Sequence, residues 1–167
     1  VKQTVKWVYE NKKKFSFCAR FDIKSYYESI DLNILIEQLK NLDISYEVLD
    51  VVKEYIFLQG SKKSTKGLVS GGSFSPLIAA IYLMPLDSLM DSLCKTKRIS
   101  YRRYMDDFII FSSSRWALKR AIKKTHQILK KLHLSLSSRK KYIGSSQKDF
   151  NFLGYRFIKN KKLRPAA

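Results

Sequence analysis

Residues 99–111 have the sequence Ile-Ser-Tyr-Arg-Arg-Tyr-Met-Asp-Asp-Phe-Ile-Ile-Phe, in which two adjacent carboxylates stand between two runs of β-branched and aromatic residues. Such runs favour strands, so the pattern predicts a hairpin that carries Asp106 and Asp107 at its tip. Burying two carboxylates near an apolar core is costly unless a cation neutralises them. The tip is therefore a candidate site for a divalent metal ion, and it needs a further acid from elsewhere in the chain.

The composition of the chain limits the classes of protein to which it can belong. The chain has 167 residues, of which 45% are hydrophobic, and this is enough for one globular domain with a buried core. It contains 33 Lys and Arg against 14 Asp and Glu, which gives a net charge of +19. An excess this large is typical of proteins that bind polyanions, of which nucleic acid is the simplest. A lysine-rich genome or a need for solubility is the alternative explanation.

The two cysteines, Cys18 and Cys94, lie far apart and form no Cys-x-x-Cys or Cys/His pattern. Neither a zinc site nor a disulfide framework is therefore predicted, and reduced thiols favour a cytoplasmic location. No apolar run approaches the length of a membrane span, so we expect no membrane association. Because the chain begins at Val1 rather than Met, we expect it to be a piece of a longer protein.

The periodicity of apolar residues predicts the order of elements along the chain. Helices are predicted over residues 1–14, 32–39 with an Asp31 cap, 48–56 with a Ser45 cap, 77–93 and 116–132. Strands are predicted over residues 15–23, 99–111 as a hairpin, 140–143 and 150–158, with a basic loop at 61–66. This order indicates an α+β fold in which a small antiparallel sheet has helices packed mainly on one face.

Asp22 stands at the end of the first predicted strand. If that strand lies beside the hairpin, Asp22 and Asp106 meet at one edge of the sheet, with Asp107 close by. Carboxylate oxygens suit Mg²⁺ or Mn²⁺, and two such ions can bridge the attacking and leaving oxygens of a phosphoryl displacement. The alternative for a single acid at the end of a strand is a turn residue or a helix cap.

Five segments occur in an order that resembles the palm domain of reverse transcriptases, of the bacterial group II intron and group II-like kind. They are residues 21–31, 67–83, 104–107, 134–140 and 152–155. The resemblance implies a polymerase palm over residues 1–167 of a bacterial cytoplasmic protein. The fingers motifs that normally precede Asp22, and the helical thumb that follows Tyr155, have no counterpart in these residues. We therefore expect a fragment that is weakly active or inactive by itself.

The resemblance implies roles for the acids and for one lysine. Asp22 and Asp106 would hold two Mg²⁺ or Mn²⁺ ions, with Asp107 as a neighbour or secondary ligand. Lys140 would protonate the leaving pyrophosphate or neutralise its charge.

Further positions match segments that contact the nucleotide in the family. Tyr27 would be the steric gate that excludes a ribose 2′-hydroxyl. Tyr26 would belong to the core, because alternate residues of a strand point in opposite directions. Met105 would lie beneath the sugar at the primer end, with Ile23 and Gly71 close to the nucleotide.

Template and primer contacts follow in the same way. The matching positions are Lys24, Ser70, Gly72, Phe152, Leu153, Gly154 and Tyr155, and for Lys24 a solvated side chain is an equal alternative. Many relatives have Pro-Gln where this chain has Val69-Ser70, and the shorter Ser70 cannot reach as far as a glutamine. His126 and His133 fit no pattern and are given no role.

The expected function is RNA-templated DNA synthesis from dNTPs on a DNA primer. One alternative is a non-catalytic, maturase-like RNA-binding scaffold, although a scaffold has no need of Asp22, Asp106 and Asp107. Another is a template-independent or protein-primed defence polymerase. RNA synthesis is disfavoured by Tyr27.

Overall fold

The computed structural model describes residues 1–59, 65–158 and 164–165. The helices in these ranges are α1 (Lys2–Lys14), α2 (Tyr26–Ser29), α3 (Leu32–Lys40), α4 (Tyr46–Gln59), α5 (Ser75–Tyr82), α6 (Met84–Cys94) and α7 (Arg115–Lys131). The strands are β1 (Phe17–Asp22), β2 (Ile99–Tyr104), β3 (Asp107–Ser112), β4 (Tyr142–Ser145), β5 (Phe150–Phe152), β6 (Tyr155–Phe157) and β7 (Arg164–Pro165). The greater part of the basic loop predicted at 61–66 lies outside the described residues.

Strands β1 to β4 form an antiparallel sheet in the order β2-β3-β1-β4. The predicted hairpin is confirmed, because β2 and β3 pair in register from Ile99 with Ser112 to Tyr104 with Asp107. β1 inserts between this hairpin and β4, and so brings the end of the first strand beside the hairpin tip. The α+β class with a small antiparallel sheet is therefore confirmed.

Both faces of this sheet are covered, so β3 is buried over residues 108–112 and lacks the polar and apolar alternation of a one-sided strand. Helices α3 to α7 contribute to the larger core on one face, which includes Phe21, Phe108 and Ile110. On the other face, α1 and the β5–β6 hairpin pack over Cys18 and Phe111. The helices thus lie mainly on one face, as the sequence predicts, and a second sheet of β5, β6 and β7 helps to close the other.

The single helix predicted over residues 77–93 is wrong. The structure has α5 and α6 there, bent by 53° at Leu83. Pro85 lies in the first turn of α6, and a proline ring supplies no N–H and clashes with the preceding turn of a continuous helix. Among the described residues no single helix is long and apolar enough to cross a membrane, and α5 with α6 reach that length only as a bent pair.

Candidate active site

The hairpin tip is a two-residue turn of Met105 and Asp106 between the paired residues Tyr104 and Asp107. Met105 has φ of +55°, in the left-handed region that non-glycine residues rarely adopt. Tight hairpin turns need positive φ, and glycine usually supplies it. Holding a methionine there costs roughly 1–3 kcal/mol, and strain of this kind is concentrated at functional sites.

The antiparallel register brings the three acids together. Asp22 at the end of β1 lies directly opposite Asp107 at the start of β3. The backbone N–H of Ile23 donates to the carbonyl of Asp106 at 3.3 Å, which ties the turn to the end of β1. The Ile23 side chain is buried in the larger core. The predicted meeting of Asp22, Asp106 and Asp107 at one edge of the sheet is therefore found.

Burial and mutual repulsion disfavour the charged forms of two of these acids. The pKa of Asp106 is raised above its ordinary value by burial and by the charge of Asp22. The pKa of Asp107 is also raised, mainly by burial; Asp22 and Asp106 add to the rise, and Arg20 opposes it. A bound cation would therefore favour the charged forms of both carboxylates.

Lys140 reaches this cluster from the segment after α7. The N–H of Ser137 donates to the carbonyl of Asp22 at 2.8 Å, which brings the segment alongside β1. The Lys140 ammonium then donates to Asp22 Oδ1 at 2.9 Å, while more than half of its side chain stays exposed. This hydrogen bond is the main reason that the pKa of Lys140 is raised, so the lysine stays protonated.

The donor set fits a hard divalent cation by its chemistry. Carboxylate oxygens are the ligands that Mg²⁺ prefers, and Asp107 Oδ1 is buried without a hydrogen bond from any described residue. Within residues 1–59 and 65–158, however, no three His, Cys, Asp or Glu side chains are grouped closely enough to hold a metal ion. The Lys140 ammonium forms an ion pair with Asp22.

Tyr26 and Tyr27 take different environments just after β1. Tyr26 is buried in the core and its hydroxyl donates to the carbonyl of Ala79. Tyr27 is half-buried, and its pKa is raised first by burial and then by the charge of Asp106, which lies close enough to act on it. The core placement of Tyr26 is as predicted, but its reason is wrong, because both residues lie in the short helix α2 and not in a strand. Successive residues of a helix also point in different directions.

The glycine- and serine-rich segment approaches the site from the α2 side. The N–H of Leu68 donates to the carbonyl of Tyr27 at 2.8 Å. Gly71 has φ of +89° and open space around the position of a Cβ, so backbone conformation requires glycine there and crowding does not. Ser70, Gly71 and Lys24 are exposed and Gly72 is half-buried, and the structure records no contact from any of them to the acids.

The β5–β6 hairpin turns at Leu153 and Gly154, which both have positive φ, at +49° and +75°. Gly154 is exposed and Tyr155 is half-buried, but Phe152 is fully buried in the smaller core. Phe152 therefore shapes this hairpin from inside and does not offer its ring to a ligand.

Arg20 connects this hairpin to the acids, and the motif comparison missed it. Its guanidinium lies 3.7 Å from Asp107 Oδ1, donates to the carbonyl of Asn151, and stacks 5.9 Å from the centre of the Phe152 ring. A signal was present in the sequence, because residues two apart in a strand point to the same side and Arg20 precedes Asp22 by two.

A second support was also missed. Arg103 pairs with Asp87 of α6 through two hydrogen bonds, and Tyr101 donates to the same carboxylate at 2.9 Å. The Arg103 guanidinium also donates to the carbonyl of Met105 at 3.0 Å. Arg103 therefore connects α6 to the strained turn. Nothing in the sequence pairs positions 87 and 103.

His133, to which the sequence assigns no role, has a partner in the structure. Its Nδ1 lies 3.0 Å from Asp31 Oδ2, while the other oxygen of Asp31 accepts from the N–H groups of Asn33 and Ile34. The predicted Asp31 cap of α3 is thus confirmed. These hydrogen bonds outweigh the effect of burial, which would raise the pKa of Asp31, and lower it instead.

Comparison with known sequences identifies relatives. The family model described as reverse transcriptase (RNA-dependent DNA polymerase) matches residues 2–157. The retron Ec83 reverse transcriptase of Escherichia coli is 28% identical over 117 residues, which are 68% of this chain and 38% of that protein. The chain thus spans well under half the length of this curated relative. Because the relative is a retron enzyme, the group II subtype stays a prediction.

Comparison with solved structures gives the same fold. An apo telomerase of Candida tropicalis truncated from its C-terminal domain superposes with a TM-score of 0.76 and 18% identity, over 99% of this chain and 40% of that one. The telomerase of Candida albicans in complex with the TWJ fragment of telomeric RNA gives 0.73 and 13%, over 95% and 32%. At these identities the likeness shows the fold alone. Since the family model covers nearly the whole chain, this protein belongs to the reverse transcriptase (RNA-dependent DNA polymerase) family.

Proposed function

We propose that this chain is the catalytic palm of an enzyme that copies RNA into DNA by adding dNTPs to a primer 3′-hydroxyl. The observation that carries the proposal is the register of β1 against β3, which sets Asp22 opposite Asp107 and beside the Met105–Asp106 turn. Family membership supports the reaction class. The RNA template, the DNA primer and the dNTP are the partners that this reaction requires.

Asp22 and Asp106 would hold two Mg²⁺ or Mn²⁺ ions, with Asp107 as a neighbouring carboxylate. Bound there, such ions supply electrostatic stabilisation to the attacking and leaving oxygens of an in-line displacement. Burial first, and the neighbouring carboxylates second, raise the pKa of Asp106 and Asp107, and this supports the assignment because a bound cation would stabilise their charged forms.

Lys140 would assist the departure of pyrophosphate, the leaving group. In the structure its ammonium donates to Asp22 Oδ1, and its exposed side chain can turn away from that oxygen toward a ligand. The ammonium carries a charge that can neutralise pyrophosphate and a proton that it can donate to it. The hydrogen bond to Asp22 raises the pKa of Lys140, so release of that bond would make the lysine a better proton donor.

Tyr27 would select deoxyribonucleotides over ribonucleotides. Its half-buried ring lies within electrostatic reach of Asp106, and its backbone holds Leu68 at the start of the glycine-rich segment. A nucleotide held at the acids would therefore meet the Tyr27 ring on one side. Met105, Gly71, Ser70 and Gly72 would border the same space.

Primer extension tests the proposal. The purified full-length protein, an RNA template, a DNA primer, dNTPs and Mg²⁺ or Mn²⁺ should give extended primers. Asp106→Asn should lose about 100- to 1,000-fold of this rate, the loss typical of removing one group that stabilises transition-state charge. The exposed Asp43 provides the control, and Asp43→Asn should keep the parent rate.

Three results would contradict the proposal. RNA binding without extension by the parent would indicate a non-catalytic scaffold. Nucleotide incorporation without a template would indicate the template-independent alternative. Equal rates for Asp106→Asn and the parent would remove Asp106 from the reaction. Thermal unfolding of each variant separates these results from loss of the fold. We expect Asp106→Asn to be no less stable than the parent, because burial disfavours the charged form of Asp106.

A further inference from the structure

The outer face of α7 is strongly basic. Residues 115–131 include seven Lys and Arg and no Asp or Glu. Its inner face, with Leu118 and Ala121 among its buried residues, packs on the sheet. On the opposite side, spacings of three and four residues align an exposed stripe of Trp116, Arg120, Lys123, Gln127 and Lys131. We call this stripe, with its neighbours Arg115, Lys119 and Lys130, the α7 basic face.

The charge of the α7 basic face is not balanced by acids. In the part of the chain that the structure describes, no ion pair joins α7 to a carboxylate. Other helices do pair their cations, as Lys40 does with Glu37 at 2.7 Å and Lys53 with Asp50 at 2.9 Å. Like charges four residues apart, such as Lys119 and Lys123, destabilise a helix. A bound polyanion would relieve this repulsion.

Trp116 adds a second, independent feature. Its side chain is 81% exposed, although an indole on a monomeric domain is normally largely buried. The Lys119 ammonium lies 5.9 Å from the centre of a Trp116 ring. Two grooves, of about 570 Å³ and 580 Å³, include Trp116 in their lining. The first is lined also by Arg98 and Arg120, and the second by Arg115 and Lys119. An exposed ring between cations suits a stacked nucleobase whose phosphates the cations hold.

The α7 basic face is separate from the acids. α7 begins just after Ser112, which pairs with Ile99 at the end of the sheet opposite the Met105–Asp106 turn. From there the helix runs on the helical side of the sheet for about 25 Å, the length of 17 helical residues. The helix returns toward the acid end, where the segment after it donates to Asp22. α7 packs on the face of the sheet that includes Phe21, whereas Asp22 is the next residue of β1 and so lies on the opposite face. A strand bound along the outer face of α7 would therefore lie outside the catalytic site.

We propose that the α7 basic face binds single-stranded RNA, with Arg120, Lys123 and Lys131 on its phosphates and Trp116 stacked on an unpaired base. A paired duplex would not offer the face of a base to Trp116. An anionic membrane would require an apolar face, and Trp116 is the single apolar side chain of the stripe. We choose RNA as the bound polyanion because the chain belongs to a family of RNA-dependent DNA polymerases. This choice does not depend on whether the acids are catalytic.

Fluorescence anisotropy of a labelled, unstructured 20-nucleotide RNA on the purified full-length protein tests this proposal. The triple variant Lys119→Gln, Arg120→Gln, Lys123→Gln should weaken binding about 10- to 100-fold at low salt, and should lower the slope of log affinity against log salt by about 2. The matched control Lys2→Gln, Lys6→Gln, Lys14→Gln removes the same charge from exposed positions of α1 and should change affinity less than about twofold.

Trp116→Ala should weaken binding about 10-fold and should abolish any quenching of indole fluorescence by the RNA. Because Trp116 is 81% exposed, its loss leaves the core intact, so this variant remains informative if the triple variant unfolds. Asp106→Asn should bind the RNA as the parent does, which separates failure of this proposal from failure of the proposed catalysis.

Unchanged affinity in both α7 variants would overturn the proposal, as would an equal loss in the α1 control. Binding of double-stranded RNA or of single-stranded DNA that depends on α7 and is tighter than that of the RNA would also overturn it. So would α7-dependent binding to vesicles of anionic phospholipid without α7-dependent binding to the RNA.

Discussion

At the scale of single residues, the site depends on adjacent residues whose side chains point in different directions. Tyr26 enters the core, whereas Tyr27 stays half-buried and close enough to Asp106 to have its pKa raised. Asp22 and Asp107 face each other because two strands pair in one register. A shift of one residue in that register would separate them and turn one of them to the other face of the sheet.

We expect Tyr27→Ala to let ribonucleotides into the product, because it removes the ring that would crowd a 2′-hydroxyl. The preference for dNTP over NTP, measured as a ratio of kcat/KM, should fall about 10-fold or more, since removing a buried contact of this size is worth 1–3 kcal/mol. Tyr26→Phe is the control, because it deletes a hydroxyl that points at Ala79 in the core. An unchanged sugar preference in Tyr27→Ala would remove the steric-gate assignment.

Arg20 should act as a positioning residue between the β5–β6 hairpin and Asp107. We expect Arg20→Met to lower kcat for primer extension about 10-fold, because the hydrogen bond to Asn151 and the ion pair with Asp107 are both lost. Since Arg20 opposes the rise in the pKa of Asp107, its removal should also move the acidic limb of the kcat profile to higher pH.

Arg20→Lys retains the charge, so it should restore the acidic limb of that profile while recovering only part of kcat. A purely structural role would lower kcat in both variants without moving the pH profile, and that result would contradict the assignment. Arg102→Lys, at an exposed position of β2, should leave both quantities unchanged.

At the scale of elements, the strained turn is held from several sides. β1 contributes the N–H of Ile23, and α6 contributes Asp87, which fixes the Arg103 guanidinium on the carbonyl of Met105. The break between α5 and α6 at Leu83 matters here, because α6 follows its own direction beneath β2 and the sheet. The helix pair and the hairpin therefore form one supporting unit for the acids.

We expect Asp87→Asn to lower the free energy of unfolding by about 2 kcal/mol, because it weakens two hydrogen bonds to a charged, largely buried arginine. Urea denaturation measures this change. Asp91→Asn, at an exposed position on the same helix, should stay within about 0.5 kcal/mol of the parent. Equal stability of the two variants would show that Arg103 holds the turn without Asp87.

At the scale of the whole molecule, two cores fix the sheet from both faces, and the net charge of +19 is carried on their outside. The α1 and α7 helices both expose lysines, and the acids gather at one end of the sheet. The field of such a protein attracts nucleic acid from a distance, and the arrangement of the acids determines where chemistry could occur.

We expect total RNA affinity to fall at least about 100-fold between 50 and 200 mM salt, because bound cations release counterions from the strand. The control is a peptide nucleic acid of the same base sequence, which has no phosphates. Its binding should depend little on salt. A flat salt response for the RNA would contradict the charge argument.

Sequence alone predicted much of this protein. The runs of β-branched and aromatic residues on either side of Asp106 and Asp107 predicted the hairpin, the Asp31 cap predicted the start of α3, and the order of five segments indicated the family. These signals are local, since strand and helix periods and turn residues depend on neighbours a few positions away.

Tertiary structure decided which distant residues meet. Nothing near Arg20 in the sequence points to Asn151 or Phe152, and nothing near Asp87 points to Arg103. The ion pair between Lys140 and Asp22 also joins residues 118 positions apart. Such contacts depend on how the sheet orders its strands and how helices cross it, because packing of the whole chain, and not local propensity, fixes the distance between remote side chains.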